Sequence, residues 1–229
     1  WRWFGLLASA QYMVKNKIRK SLFEQGQFLS NEYIKKASQS IQMSAIEKID
    51  LKSSFNTLLY FPFRNEICID IILDELDRYS CSVYMPRIFT KSKMKFNLYN
   101  KNESLTKNVY GIDELRNKNY LDPSLFHTMF VPFVGVDING KRLGYGGGYF
   151  DRALSNLKKN NDKPTIIGLG YEYQILKQNI GEDHDIKYDI VITETDIHFY
   201  SWYIQCLSYI QYDEKIPISS FSSCVNCSQ

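Results

Sequence analysis

The sequence predicts a single α/β domain, a mostly parallel sheet flanked by helices in a Rossmann-like three-layer architecture. Three observations carry this. Apolar runs rich in Val, Ile and Phe recur at 57–63, 81–88, 129–136, 165–171 and 189–193, each of strand length and most bounded by turn residues. Stretches with helical spacing fall between several of them. A chain of 229 residues with 44% hydrophobic and 15% aromatic content is long and apolar enough to bury a core.

Residues 13–28 read as a basic helix carrying Lys15, Lys17, Arg19 and Lys20. Lys15 and Arg19 are four apart and so share a face; a solvated basic face is the plainer reading. Ser30 is an N-cap for a second helix with Glu32 in its first turn. Ile34, Ala37, Ile41, Ala45 and Ile46 recur there at helical spacing and form core. Strand 57–63 stops at Pro62-Phe63-Arg64-Asn65, and Ile69, Ile72, Leu73 and Leu76 mark an amphipathic helix preceded by Glu66. Strand 81–88 ends in Met85-Pro86-Arg87, and 94–99 alternates as an edge strand does. The polar stretch 101–123 is expected to be a long loop of the kind that carries function.

The central stretch is 129–154. An apolar strand, 129–136, leads through Asp137, Asn139 and Gly140 to Lys141 and Arg142, then to a loop with Gly144, Gly146, Gly147 and Gly148. Helical sequence follows from Tyr149 to Lys159, with Asp151 in its first turn. Strand, glycine loop and helix start form a recurrent phosphate holder, because glycines let backbone N–H groups approach an anion closely. The spacing is neither a P-loop, which ends in Gly-Lys-Ser/Thr, nor a GxGxxG fingerprint. A glycine turn without a ligand is the competing reading; Arg142 and Asp151 favour phosphate. Strands 165–171 and 189–193 complete the pattern, and repeats are absent.

Bulk properties exclude several classes. The count of 28 Lys+Arg against 25 Asp+Glu gives +3, too mild to argue for nucleic acid. No apolar run reaches the roughly 20 residues of a spanning helix, and the opening stretch is too short for a signal h-region. The five cysteines include Cys224 and Cys227 in a CxxC, with no second pair to make a zinc site. Reduced thiols and a cytoplasmic location are expected, with mitochondrion or another organelle left open. Residues 1–12 are expected to be an extension before Met13, 13–194 the catalytic domain, and 195–229 a tail of unassigned role. Within that tail 201–212 is aromatic and weakly patterned, and 216–229 is Ser-rich and expected to be disordered.

The ordered motifs resemble the 5-formyltetrahydrofolate cyclo-ligase family, also called 5,10-methenyltetrahydrofolate synthetase. Lys141-Arg142-Leu143-Gly144-Tyr145-Gly146-Gly147-Gly148-Tyr149-Phe150-Asp151-Arg152 is nearly the family signature. Lys15 and Arg19, Phe61-Pro62 through Glu66 and Ile69, Met85-Pro86-Arg87, Met94-Lys95-Phe96, Tyr110-Gly111-Ile112 and Val131-Pro132 fit in order. So do 170–174, His184-Asp185 and 189–194. Three positions depart from the pattern: Phe133 replaces a glycine, Phe150 a tyrosine and Leu115 a proline.

The resemblance implies ATP- and Mg²⁺-dependent closure of 5-formyltetrahydrofolate to 5,10-methenyltetrahydrofolate, with ADP and phosphate released through an N5-iminium phosphate. The formyl oxygen is itself the nucleophile, so the enzyme has mainly to position groups and neutralise charge. That suits a chain with three histidines and no evident nucleophile–base pair. Carried over residue by residue, Lys15, Arg19 and Arg142 contact ATP phosphates, and Gly144, Tyr145, Gly146, Gly147, Gly148 and Tyr149 form the nucleotide loop. Asp151 holds Mg²⁺. Glu66 sits beside the folate as the electrostatic or proton-accepting carboxylate, and Phe61, Tyr110 and Tyr149 line its pocket. Glu66, Arg142 and Asp151 are the expected catalytic set. His184, Asp185 and Asp189 are expected to be structural, holding the end of the sheet.

The partners implied are the two small molecules, with no nucleic acid or membrane, and a monomer is expected. Two other classes stay open at this level: a nucleotide- and folate-binding paralogue with weakened turnover and a regulatory role, and an unrelated kinase-like or Rossmann enzyme.

Overall fold

The computed structural model describes residues 2–90, 93–159, 163–201 and 215. A seven-stranded sheet runs through its centre. Five strands are mutually parallel: β1 (Asn56–Leu58), β2 (Ser82–Ile88), β6 (Thr128–Phe130), β9 (Thr165–Leu169) and β10 (Ile190–Ile192). Antiparallel strands close the two edges: β3 (Met94–Leu98) beside β2, and β11 (Ile197–Phe199) beside β10. The order is β11-β10-β9-β6-β1-β2-β3. From β1 the chain first moves to β2 and later returns to β6 on the other side. Such a reversal opens a crevice at the carboxyl ends of the two central strands.

Alternation along the strands builds the two halves of the core. Leu59, Phe130, Ile167, Ile190 and Ile192 face α2 (Asn31–Lys48) and α3 (Asp70–Arg78), meeting Ala37, Ile41, Ala45, Ile72 and Leu76. Leu58, Met129, Val131, Ile166 and Val191 face the other way, onto Phe150, Leu154 and Leu157. Period-2 side chains in buried strands require this division. The result is the expected three-layer α/β domain. Ser30 caps α2 as expected, its hydroxyl accepting from the Tyr33 N–H at 3.1 Å. Helix α1 (Arg2–Gln27) lies across the carboxyl end of the sheet, where Leu22 packs with Val134, Leu143 and Ile180.

Several boundaries differ from expectation. Helix α1 starts well before Met13. The run 129–136 is divided between β6 and β7 (Gly135–Val136), because Pro132 has no N–H to continue a ladder. Strand β7 instead pairs antiparallel with β8 (Arg142–Leu143). The polar stretch 101–123 holds a two-strand hairpin, β4 (Thr106–Lys107) with β5 (Asp113–Glu114). Helix α4 is only Tyr149–Ala153, continued as a 3-10 segment over Ser155–Lys159. Helix α3 begins at Asp70, four residues after Glu66, so that carboxylate precedes the helix as expected. Of the tail, 202–214 and 216–229 lie outside the described residues.

Candidate active site

The crevice between β1 and β6 receives the chain segments that leave those strands. After β1, the turn 63–66 is tied twice: the Glu66 N–H donates to the Phe63 carbonyl at 3.2 Å, and the Glu66 carboxylate accepts from the Phe63 N–H at 2.8 Å. Asn65 anchors the same turn to α1 through the Gly26 carbonyl at 2.9 Å. After β6, the β7–β8 ribbon delivers Arg142 and then the glycine loop.

Arg142 is 6% exposed. Its Nε donates to the Pro132 carbonyl at 2.7 Å and its Nη1 to Asp151 Oδ2 at 3.2 Å. The guanidinium carbon stands 5.3 Å from the centre of the Phe150 ring. Gly144 is required here in a plain steric sense, since a Cβ would collide with this guanidinium. Arg19 comes from α1 and donates through Nε to the Gly144 carbonyl at 2.7 Å. Gly146 and Gly148 both have left-handed backbones, φ 99° and 61°, which glycine adopts without steric cost. With α4 five residues long, its dipole is small. The charges beside the loop are therefore mainly those of side chains, Arg19 and Arg142 against Asp151.

Two cavities meet at Arg142 and Gly148, which line both. The polar one, about 700 Å³, is bounded by Lys15, Arg19, Gly144, Gly146, Asp151 and Asp185 among others. The more apolar one, about 450 Å³, is bounded by Phe61, Glu66, Ile88, Met94, Tyr110, Tyr149 and Phe150 among others. A third space behind Tyr145 lies between α1 and the turn 63–66.

The expected site residues thus gather in one place, but they divide between cavities. Lys15, Arg19, Gly144, Gly146 and Asp151 border the polar cavity; Phe61, Glu66, Tyr110, Gly147 and Tyr149 border the apolar one. Tyr145 leaves the glycine loop towards the apolar side, stacked on Phe23 with ring centroids 5.6 Å apart and edge-on to Phe63 at 5.7 Å. Its hydroxyl hydrogen-bonds to Glu66, and burial pushes its own pKa well up. Tyr110 and Tyr149 join hydroxyl to hydroxyl at 2.9 Å across the cavity mouth.

Electrostatics separate the carboxylates. Burial pushes the Glu66 carboxyl up to about 7, against the opposing pull of the Phe63 N–H, the Tyr145 hydroxyl and the Arg142 charge. A carboxyl poised near neutral pH suits proton acceptance or stabilisation of a developing cation. Asp151 is instead held by Arg142 and by the Ile186 N–H at 3.2 Å. The Lys15 ammonium sits 2.7 Å from both Glu182 and Asp185. Burial alone would lower its pKa, but hydrogen bonds and charge from those two carboxylates raise it.

Three features escaped the sequence reading. Asp185 was expected to hold the end of the sheet; it lines the polar cavity and binds Lys15. Asp189 holds the end of the sheet as expected, accepting from the Ile166 N–H at 2.9 Å and from Lys163 at 3.1 Å, while Asp185 accepts from the Glu182 N–H at 2.8 Å. Glu182, His184 and Asp185 present ligand atoms within 4.8 Å of one another; the His184-Asp185 pair was the available signal. Phe133 and Phe150 are buried apolar packing: Phe133 fills the space beside Gly168 and Gly170 and meets Tyr188, and Phe150 packs towards Phe96. Mg²⁺ prefers hard oxygen donors. Asp151 and Asp185, bordering one cavity beside a glycine loop, fit that preference.

Comparison with known proteins identifies the family. A family profile described as the 5-formyltetrahydrofolate cyclo-ligase family matches residues 11–194. The chain is 32% identical over 161 residues to the 5-formyltetrahydrofolate cyclo-ligase of Haemophilus influenzae, covering 68% of this chain and 85% of that one. It is 24% identical over 184 residues to the Mycoplasma pneumoniae protein of the same name, covering 80% and 99%. The fold matches the solved structure of Aquifex aeolicus 5,10-methenyltetrahydrofolate synthetase with a TM-score of 0.70 at 24% identity, over 82% of this chain and 93% of that one. With the signature loop, the carboxylate turn and the basic helix meeting at one crevice, the chain belongs to the 5-formyltetrahydrofolate cyclo-ligase family.

Proposed function

We propose that this chain closes 5-formyltetrahydrofolate to 5,10-methenyltetrahydrofolate at the expense of ATP, with ADP and phosphate released. The observation that carries the reading is the sharing of Arg142 and Gly148 by two cavities, one edged by charged side chains and the other mostly by aromatic and aliphatic ones. A nucleotide in the polar cavity and a folate in the apolar one would meet at a buried guanidinium.

The formyl oxygen attacks the γ-phosphorus, the bond to ADP breaks, and an N5-iminium phosphate forms. N10 then attacks the activated carbon, loses its proton, and phosphate leaves with the C–O bond pair. Arg142, Arg19 and the loop N–H groups neutralise phosphate charge, and Lys15 borders the same cavity. Glu66 faces the cation that builds on the N5–C–N10 unit and accepts the N10 proton. Tyr145 fixes the Glu66 carboxyl, and Phe61, Tyr110 and Tyr149 exclude water from the folate. Asp151 and Asp185 would hold Mg²⁺, which when bound supplies further neutralisation of the phosphates. The working unit is residues 13–194, acting as a monomer in the cytoplasm.

The test is direct: mix the protein with 5-formyltetrahydrofolate, ATP and Mg²⁺ and follow the absorbance of methenyltetrahydrofolate. Omission of ATP should abolish the signal. A chain that binds both ligands without releasing phosphate is a binding protein, and the proposal fails.

A further inference from the structure

Arg64 takes no part in the chemistry above, yet its surroundings are unusual. Its backbone is left-handed, φ 56°, a conformation that residues with a Cβ rarely adopt. Non-glycine residues persist there only where the surroundings hold them, and they cluster at binding sites. The turn 63–66 is held by its two Phe63–Glu66 hydrogen bonds and by Asn65 on Gly26, so the strain is imposed. Its effect is to project the side chain from the turn. The guanidinium then lies 5.1 Å from the Phe23 ring centre, 5.2 Å from Phe63 and 5.8 Å from Tyr145. Three rings hold the group in place by cation–π attraction.

No carboxylate neutralises it among the described residues, and Arg64 is exposed. Glu66 turns to Phe63 and Tyr145, and Glu114 turns to the Ile88 N–H and Asn108. Arg64 borders the apolar cavity and the space behind Tyr145, and is not among the residues of the polar cavity. Among the described residues two cations line the apolar cavity, Arg64 and Arg142. Arg142 is already paired with Asp151, so one pre-oriented cation is left for an anionic part of that cavity's ligand.

We infer that Arg64 is a specificity residue that docks a carboxylate of the folate's glutamate tail, so that the site selects glutamylated folates over a pteroyl amide with no carboxylate. This rests on the proposed function, which places folate in the apolar cavity. The pterin, formyl group and p-aminobenzoyl ring are uncharged, so carboxylates of the tail are the anions this ligand offers. A guanidinium matches a carboxylate with two parallel N–H donors. Arg64 is not assigned to ATP, because the residues that gather for phosphate border the other cavity.

The experiment compares 5-formyltetrahydrofolate with the 5-formyltetrahydropteroyl methylamide, in which a neutral amide replaces the glutamate, as substrates of the full chain and of Arg64→Gln. The unaltered protein should show a KM about tenfold lower for the glutamylated substrate, in keeping with one partly exposed charge-assisted contact. Arg64→Gln should raise that KM to the methylamide value, leaving the methylamide KM, kcat and the KM for ATP unchanged. Arg64→Lys, which keeps charge but loses the fork, should recover part of the preference. Equal rises for both substrates would make Arg64 only a support of the turn, and a preference surviving in Arg64→Gln would overturn the contact. Should neither substrate turn over in the unaltered protein, the reaction is wrong; calorimetric affinities of the two compounds for both proteins then decide the contact on the same ratio.

Discussion

Arg142 and Asp151, nine positions apart, meet through a 3.2 Å hydrogen bond between Nη1 and Oδ2 at the wall shared by the two cavities. The pair sets the cost of altering either member. Both side chains are largely buried, and a lone buried charge is expensive where a paired one is not.

Arg142→Ala should therefore weaken ATP binding by about 100-fold, since a charge-assisted contact to phosphate is lost, and should affect folate far less. It should also lower thermal stability, because Asp151 loses its partner and the Pro132 carbonyl its donor. Calorimetric titration with each ligand and a melting curve check both parts. Unchanged ATP affinity would remove Arg142 from the phosphate site.

Asp151→Asn keeps the shape and the acceptor for the Ile186 N–H but removes the charge that a hard cation needs. Turnover should collapse and not recover when Mg²⁺ is raised to saturation, with the circular dichroism spectrum unaltered. Full activity at limiting Mg²⁺ would leave Asp151 as a partner of Arg142 and nothing more.

Glu66→Gln separates chemistry from binding. Loss of one preorganised group that acts mainly in the transition state costs on the order of 10²–10³ in rate, while ATP affinity should hardly move. In the unaltered protein, kcat/KM for the folate should rise with pH through a midpoint near 7, where the buried carboxyl ionises. Stability should run the other way. The folded-state pKa is raised above the ordinary 4.5 to about 7, so between those values the folded chain retains a proton that the unfolded chain releases. Stability from this group is full below about 4.5 and falls as pH rises through 7. The Gln variant should lose that slope, which melting curves at pH 5 and pH 8 would reveal.

Lys15→Met tests the contacts of the ammonium with Glu182 and Asp185. Removing it leaves Asp185, only 8% exposed, facing a second carboxylate. A loss of about 3 kcal/mol is expected, near the lower end for a broken buried pair because Glu182 is partly solvated. Chemical denaturation measures it. Because the folded-state pKa of Lys15 is raised, its contribution is full below the ordinary lysine pKa of 10.5 and is lost as pH rises past the folded value. The denaturation midpoint of the unaltered protein should drop in that alkaline range, and that of Lys15→Met should not.

The sheet was legible because each central strand is an apolar run with turn residues around it. The glycine loop was legible because its residues are contiguous. What the sequence concealed was mostly about direction. Tyr145 sits inside the glycine loop and yet serves Glu66, because a side chain leaves an extended loop on one side or the other and the sequence does not say which. Pro132 was visible, but its effect of ending β6 was outweighed by the apolar residues around it. The roles of Asp185 and Asp189, four apart in one acidic segment, depended on which one the turn after Gly181 carried to α1.

Helix α1 carries Lys15 and Arg19 towards the polar cavity and, one turn on, Leu22 and Phe23 towards the space behind Tyr145. A helix this short of a break behaves as a lever: tilting one end displaces the other. If nucleotide shifts the Lys15–Arg19 segment, the Phe23–Tyr145 stack beside Glu66 must follow. Each ligand would then change the other's dissociation constant by the same factor, since such coupling is reciprocal.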